Sequence, residues 1–189
     1  MILLIDNYDS FTYNIAELVR VLGADLKIIK NDELSVNELL KLNIEKIIIS
    51  SGTGLPKDAG ISLESVEFFK DKKPILGIGL GCLIIAEAFG ARLRKAKTLM
   101  HGKTSQIIQD ERCPLFAELP KTFQVTRYHS LAIDKELVVD KIIPRAYSAE
   151  DDEIMAIEIK NLPIYGTLFN PEAYFSEHGK EILENFLRL

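Results

Sequence analysis

The chain has 189 residues, 47% of them hydrophobic and 27% charged, with a formal net charge of −5, which is the profile of an ordinary globular protein with room for one sizeable core. The acidic balance is spread along the chain, so no basic patch marks a nucleic-acid binder, and no run of 18 apolar residues marks a membrane span. Two cysteines, Cys82 and Cys113, stand without metal-type spacing; they argue against a disulfide framework, and neither a metal nor another cofactor is expected.

The first half alternates strand and helix. "ILLID" (2–6) is a short apolar run of buried-strand type. The spacing of Phe11, Ile15, Leu18 and Leu22 predicts a helix over 10–23, capped by Ser10 and ended by Gly23. "LKIIK" (26–30) and "KIIIS" (46–50) are the next strands, with a helix at "SVNELLKL" (35–42) between them. After the loop "SGTGLPKDAG" (51–60) come a helix at 61–70, a fourth strand "PILGIG" (74–79) and a helix over 81–89. Apolar strands without alternation, separated by helices, predict a parallel sheet covered on both faces.

The second half changes character. "KTSQIIQ" (103–109), "FQVTRYH" (123–129), "KIIPRAYS" (141–148), "EIMAIEI" (153–159) and "PIYGTLF" (163–169) are strand-like, with no long helix between them. They extend the sheet with antiparallel pairs. A last helix is predicted over 176–189, with apolar residues at 182, 183, 186 and 187. No linker, repeat or low-complexity tract interrupts the chain, so residues 1–189 form one α/β domain: a mostly parallel, flavodoxin-like central sheet flanked by helices, with an antiparallel extension. The opening "MILLIDNYDS" has no basic lead and too short an apolar run for a secretion signal, so a cytoplasmic location is expected.

Ligands of open parallel sheets gather at the carboxyl ends of the strands. Three segments arrive there: "SGTGLP" (51–56), the bend "GIGLGCL" (77–83) and "FNPEAY" (169–174). A glycine-rich turn, a G-x-nucleophile-x-G bend and a late x-P-E segment follow the order of a glutamine-hydrolysing triad. With "IDNYDSFTYNI" (5–15), "HGKTS" (101–105), "RYHSL" (127–131) and "AIEIKNLPIYG" (156–166), the chain resembles the class I glutamine amidotransferases over essentially its whole length. The branch it resembles is the small glutaminase subunit, component II, of anthranilate synthase or aminodeoxychorismate synthase. "HGKTS" and "RYHSL" favour that chorismate-using branch.

The departures from the family pattern fall on the chemistry. The family bend reads G-x-C-x-G-H-Q; here Gly79 stands at the nucleophile position, and Cys82 and Leu83 stand for the histidine and glutamine that follow. The family segment H-P-E-S is here "NPEA", with Asn170 at the position of the catalytic histidine and Glu172 kept. The oxyanion loop P-G-P-G-T-P keeps Gly52 and Gly54. The resemblance further implies a pocket around Leu80 and the "HSL" backbone of His129, Ser130 and Leu131.

Each feature has a plainer alternative. "GIGLG" alone is a close strand-to-helix turn. "SGTG" resembles a phosphate cradle, but it follows the third strand and no Lys-Ser/Thr pair closes it. Cys82, about one helical turn beyond Gly79, is either a replacement nucleophile or a buried small hydrophobe, and no base is placed for it. His101 and His129 are expected to be structural and His178 solvent-exposed. Glu172 is either a surface or capping carboxylate or still bonded to Asn170. The leading expectation is a glutaminase-like subunit without glutaminase activity that binds or regulates a chorismate-using synthase large subunit. The alternatives are an amidohydrolase working through Cys82 or a water held by Glu172, and an altered version of an active, ammonia-supplying subunit.

Overall fold

The computed structural model describes residues 1–189. The chain order is β1 (Ile2–Asn7), α1 (Thr12–Val21), β2 (Leu26–Lys30), α2 (Val36–Leu39), β3 (Lys46–Gly52), α3 (Ile61–Phe69), β4 (Ile75–Ile78), α4 (Leu80–Ala88), β5 (Leu93–Lys95), β6 (Lys103–Gln109), β7 (Thr122–Arg127), β8 (Leu131–Ile133), β9 (Ile142–Ser148), β10 (Ile154–Ile159), β11 (Ile164–Thr167) and α5 (Gly179–Arg188). Nine strands form one sheet in the order β2-β1-β3-β4-β11-β10-β9-β6-β7. The first five are mutually parallel and the rest pair antiparallel. This is the expected α/β architecture. The small antiparallel pair β5–β8 was not anticipated.

Burial explains the division. Every residue of β1, β4 and β11 is buried, because helices cover both faces of the parallel half. Leu3, Leu4 and Ile5 are wholly buried, and each such side chain contributes roughly 1.5–3 kcal/mol. In β6 the pattern alternates, as one face of the antiparallel half meets water.

The helix ends depart from the sequence reading. Ser10 does not cap α1; the preceding residue is Phe11, and no side chain caps it. Instead Asp9 accepts the Phe11 amide at 3.1 Å and Asp6 accepts the Thr12 hydroxyl at 2.7 Å. Asp6 is also ion-paired to Lys30 of β2, so the turn is anchored from the sheet. The helix expected over 35–42 is only Val36–Leu39, held by a Ser35–Glu38 capping box. The last helix starts at Gly179, because Ser176 is taken by the sheet: it accepts the Thr126 amide at 2.9 Å and donates to the Asn170 carbonyl at 2.6 Å. His178 is part-buried rather than exposed, with its ring edge-on to Phe123 at 5.4 Å.

Parallel pairing brings the carboxyl ends of β1, β3, β4 and β11 to one edge. Asn7 ties the end of β1 to that of β3, to Asn31 after β2 and to Ser62 of α3. Its amide donates to Ser50 Oγ (2.9 Å), its Nδ2 to the Ser50 carbonyl (3.0 Å), and its Oδ1 accepts from Asn31 (3.0 Å) and Ser62 (2.8 Å).

Candidate functional site

The bend between β4 and α4 is one residue long. Gly79 takes φ 56°, ψ −110°, and its amide donates to the Thr167 carbonyl of β11 at 2.8 Å. That conformation is adopted by glycine with little steric cost and strains other residues by about 1–3 kcal/mol. A Cβ at this position would also overlap Ser51 Oγ and stand 2.8 Å from Ser51 Cβ. The Ser51 side chain therefore occupies the place where a side chain at residue 79 would begin.

Gly81 allows the first turn of α4 to settle on β3. A Cβ there would overlap the Ile49 carbonyl oxygen and lie 3.0 Å from its carbon. Gly81→Ala is expected to lower stability by about 1–3 kcal/mol by forcing α4 off the strand; a urea unfolding midpoint unchanged from the parent would contradict this packing.

A cleft of about 200 Å³ opens at this edge, lined by Ser51, Gly52, Thr53, Gly54, Gly79, Leu80, Leu83, Tyr128, His129, Ser130 and Leu131. Of the residues singled out from sequence, eight meet here: Gly52, Gly54, Gly79, Leu80, Leu83, His129, Ser130 and Leu131. Ser51, Thr53 and Tyr128 were missed. The first two were visible as hydroxyls inside the quoted glycine loop. Tyr128 packs between Phe11 (5.1 Å) and the exposed His101 (5.6 Å).

Cys82 does not belong to the lining. It is wholly buried, and its sulfur lies 2.7 Å from where a Cβ on Gly166 of β11 would sit. Burial pushes its thiol well above the ordinary range, so the reactive thiolate is disfavoured. It is a core side chain between α4 and the sheet, and nothing in this placement supports the replacement-nucleophile alternative. Cys113 is likewise buried.

Asn170 and Glu172 are buried and are not among the residues that line the cleft. The Asn170 backbone amide donates to the Thr126 carbonyl at 3.0 Å, and its Nδ2 donates to Glu172 Oε1 at 2.7 Å. Of the two readings of Glu172, the bonded one holds. Glu172 Oε2 has no partner. Burial pushes this carboxyl up to about 7, against the opposing effect of the Asn170 bond.

His129 is held rather than poised. Arg127 Nε donates to its Nε2 at 3.0 Å, which leaves Nδ1–H to donate to the Leu131 carbonyl at 2.9 Å. Burial, helped by the Arg127 charge, pushes its pKa down to about 4. With its acceptor nitrogen occupied, it cannot take a proton from a substrate. Arg127 is itself wholly buried, donating to Ser105 (3.0 Å), Ser148 (3.1 Å) and both carboxylate oxygens of Asp151 (3.2 and 2.8 Å). A buried guanidinium is tolerable only when paired in this way. The network joins β6, β7 and β9 and positions the "HSL" wall of the cleft. Its sequence signal was a lone charge inside the apolar strand "FQVTRYH".

A mostly parallel sheet with a glycine bend after β4, a glycine loop after β3 and a bonded x-P-E segment after β11 defines an amidotransferase-type domain. The model of the family described as "Glutamine amidotransferase class-I" matches residues 3–189, and the chain belongs to that family. Within it, the chain is similar to anthranilate synthase component 2 of Saccharolobus solfataricus, with 45% identity over 98% of this chain and 96% of that protein. It is 43% identical to the aminodeoxychorismate/anthranilate synthase component 2 of Bacillus subtilis, over 99% of this chain and 95% of that one. Among solved structures, a putative GMP synthase protein from Thermoplasma acidophilum superposes with a TM-score of 0.86 at 29% identity, covering 99% of this chain and 92% of the other.

Proposed function

We propose that this chain is a component II-like subunit that has lost glutamine hydrolysis and works by binding a chorismate-using synthase large subunit, in the cytoplasm. The observation that carries this reading is the bend itself: the only side-chain position it presents to the cleft is Gly79, which has no side chain. Splitting a carboxamide by the family's route needs a thiolate to form a thioester, with a base that takes the thiol proton and returns it to the departing amine. Asn170 sits at the position the resemblance gives to that base, and an amide does not titrate near neutrality. It retains only the bond to Glu172. Partner binding is supported by the relatives, which are named as second components of synthases and are matched over nearly their full length. The Arg127 network and the bound strand ends would keep the amidotransferase shape for such a partner.

The test has two arms. The purified chain, alone and with an anthranilate or aminodeoxychorismate synthase large subunit, is expected to release no ammonia from glutamine above background. It is expected to be retained by that subunit in a pull-down. Steady glutamine-dependent ammonia release would overturn the loss of chemistry, and failure to bind either large subunit would overturn the partner role.

A further inference from the structure

β7 is the last strand of the nine-stranded sheet, and its outer edge is not bare. Residues 170–177 run along it. The Asn170 and Glu177 amides donate to the Thr126 and Gln124 carbonyls at 3.0 and 2.9 Å. In return the Gln124 amide donates to Glu177 Oε2 at 2.7 Å, the Thr126 amide to Ser176 Oγ at 2.9 Å, and Gln124 Nε2 to the Phe175 carbonyl at 3.2 Å. Three of these five bonds use a side chain, so the segment covers the edge without adding a strand to it. An uncovered edge is a template for pairing with another chain.

The cover carries a charge defect of its own. Glu172, in its middle, is 7% exposed; Oε1 accepts from Asn170 Nδ2, and Oε2 is buried with no partner. A buried carboxylate with an unpaired oxygen is unfavourable, whereas the protonated acid is tolerated. The surrounding groups do not relieve it. Asp9, in the turn before α1, adds a like charge. Asp6 beside Asp9 is already paired with Lys30, and Arg127 of β7 is taken by Asp151. Glu177 and His178 belong to the cover and its end, the first bonded to the Gln124 amide and the second edge-on to Phe123. The Glu172 charge reaches water when the cover lifts. Tyr174 and Phe175 stand 93% and 60% exposed, so they add little burial to hold the cover down.

We propose that residues 170–177 are a proton-controlled cover on the β7 edge: protonated Glu172 keeps it shut, and ionised Glu172 favours a lifted state that bares the Gln124 and Thr126 backbone. The device goes beyond the reading above and needs neither a partner nor glutamine. The carboxyl titrates at an ordinary 4.5 when the cover is lifted and at about 7 when it is shut. A group whose pKa is raised by closing favours the closed state fully below 4.5, and that contribution is lost as pH rises to 7. From pH 5 to 7.5 the opening equilibrium therefore rises about fiftyfold.

Amide hydrogen exchange of the full chain reads the opening. After correction for the pH dependence of the exchange chemistry itself, the Gln124, Thr126, Asn170 and Glu177 amides are expected to lose protection about fiftyfold between pH 5 and 7.5. Low urea should not speed this exchange, because lifting a short cover exposes little surface. Glu172→Gln keeps an acceptor for Asn170 and cannot ionise. Its folded state is checked by its thermal midpoint, and its protection at the four amides is expected to be the same at both pH values. Unchanged protection in the parent, an undiminished pH dependence in Glu172→Gln, or exchange that follows urea and matches that of the β1 amides, as unfolding of the whole molecule would, would each overturn the proposal. The pH and urea dependences of the parent decide it even without the variant.

Discussion

Gly79→Cys alone is expected to leave glutamine hydrolysis at background. Two physical obstacles remain after the thiol is installed. The first is the base: Asn170 cannot accept the thiol proton, and in a triad the loss of one central member costs about as much as losing all, roughly 10⁶-fold in turnover. The second is space: the new Cβ would overlap Ser51 Oγ and approach Ser51 Cβ at 2.8 Å, in a conformation with φ 56°. The substitution should therefore also lower stability, by about 1–3 kcal/mol. Asn170→His addresses the first obstacle. The imidazole Nδ1–H can replace the Asn170 Nδ2–H that now reaches Glu172 Oε1 at 2.7 Å, leaving Nε2 to act as base. Ser51→Gly addresses the second, because it removes both colliding atoms. Turnover is expected only when Gly79→Cys and Asn170→His are combined, to improve with Ser51→Gly, and to show a lower KM when Leu83→Gln returns a polar group to the wall. A coupled ammonia assay measures it. A fast Gly79→Cys single variant would show that Asn170 is not the missing base.

Glu172→Gln is expected to stabilise the protein at alkaline pH. Glu172 is buried with one oxygen unpartnered, and its carboxyl is pushed up from an ordinary 4.5 to about 7. A group whose pKa is raised on folding contributes stability below its unfolded value and loses that contribution as pH rises through its folded value. The penalty at pH 8 is about 3 kcal/mol. A neutral glutamine resembles the protonated acid, so the two proteins should match near pH 4.5. At pH 8 the variant should melt roughly 6 °C or more higher. His129 works in the opposite direction. Its pKa is pushed from 6.5 to about 4, so its contribution is present above 6.5 and lost as pH falls toward 4. Between 4.5 and 6.5 the two linkages oppose each other and flatten the parent's profile. Glu172→Gln should expose the acid-side fall due to His129. Parallel melting curves for both proteins from pH 4 to 8 would contradict the buried, protonatable state of Glu172.

What the sequence by itself determined was the repeated order of strand and helix, the three segments that meet at one sheet edge, and the glycine and asparagine at residues 79 and 170. These follow from local pattern: apolar runs set the buried strands, and glycines mark the turns. Helix ends were less legible, because Asp6, which accepts from the first turn of α1, is itself anchored to Lys30 of β2, and Ser176 is bonded to Thr126 of β7. Only the tertiary structure decided which side chains face the cleft. Cys82 and Leu83 are adjacent on α4, yet one is buried against Gly166 and the other lines the site. The same holds for Ser51, whose meeting with Gly79 depends on β3 lying beside β4. Residues distant in the chain acquire their relation only when strand pairing fixes it, and that geometry is not a property of any local run of amino acids.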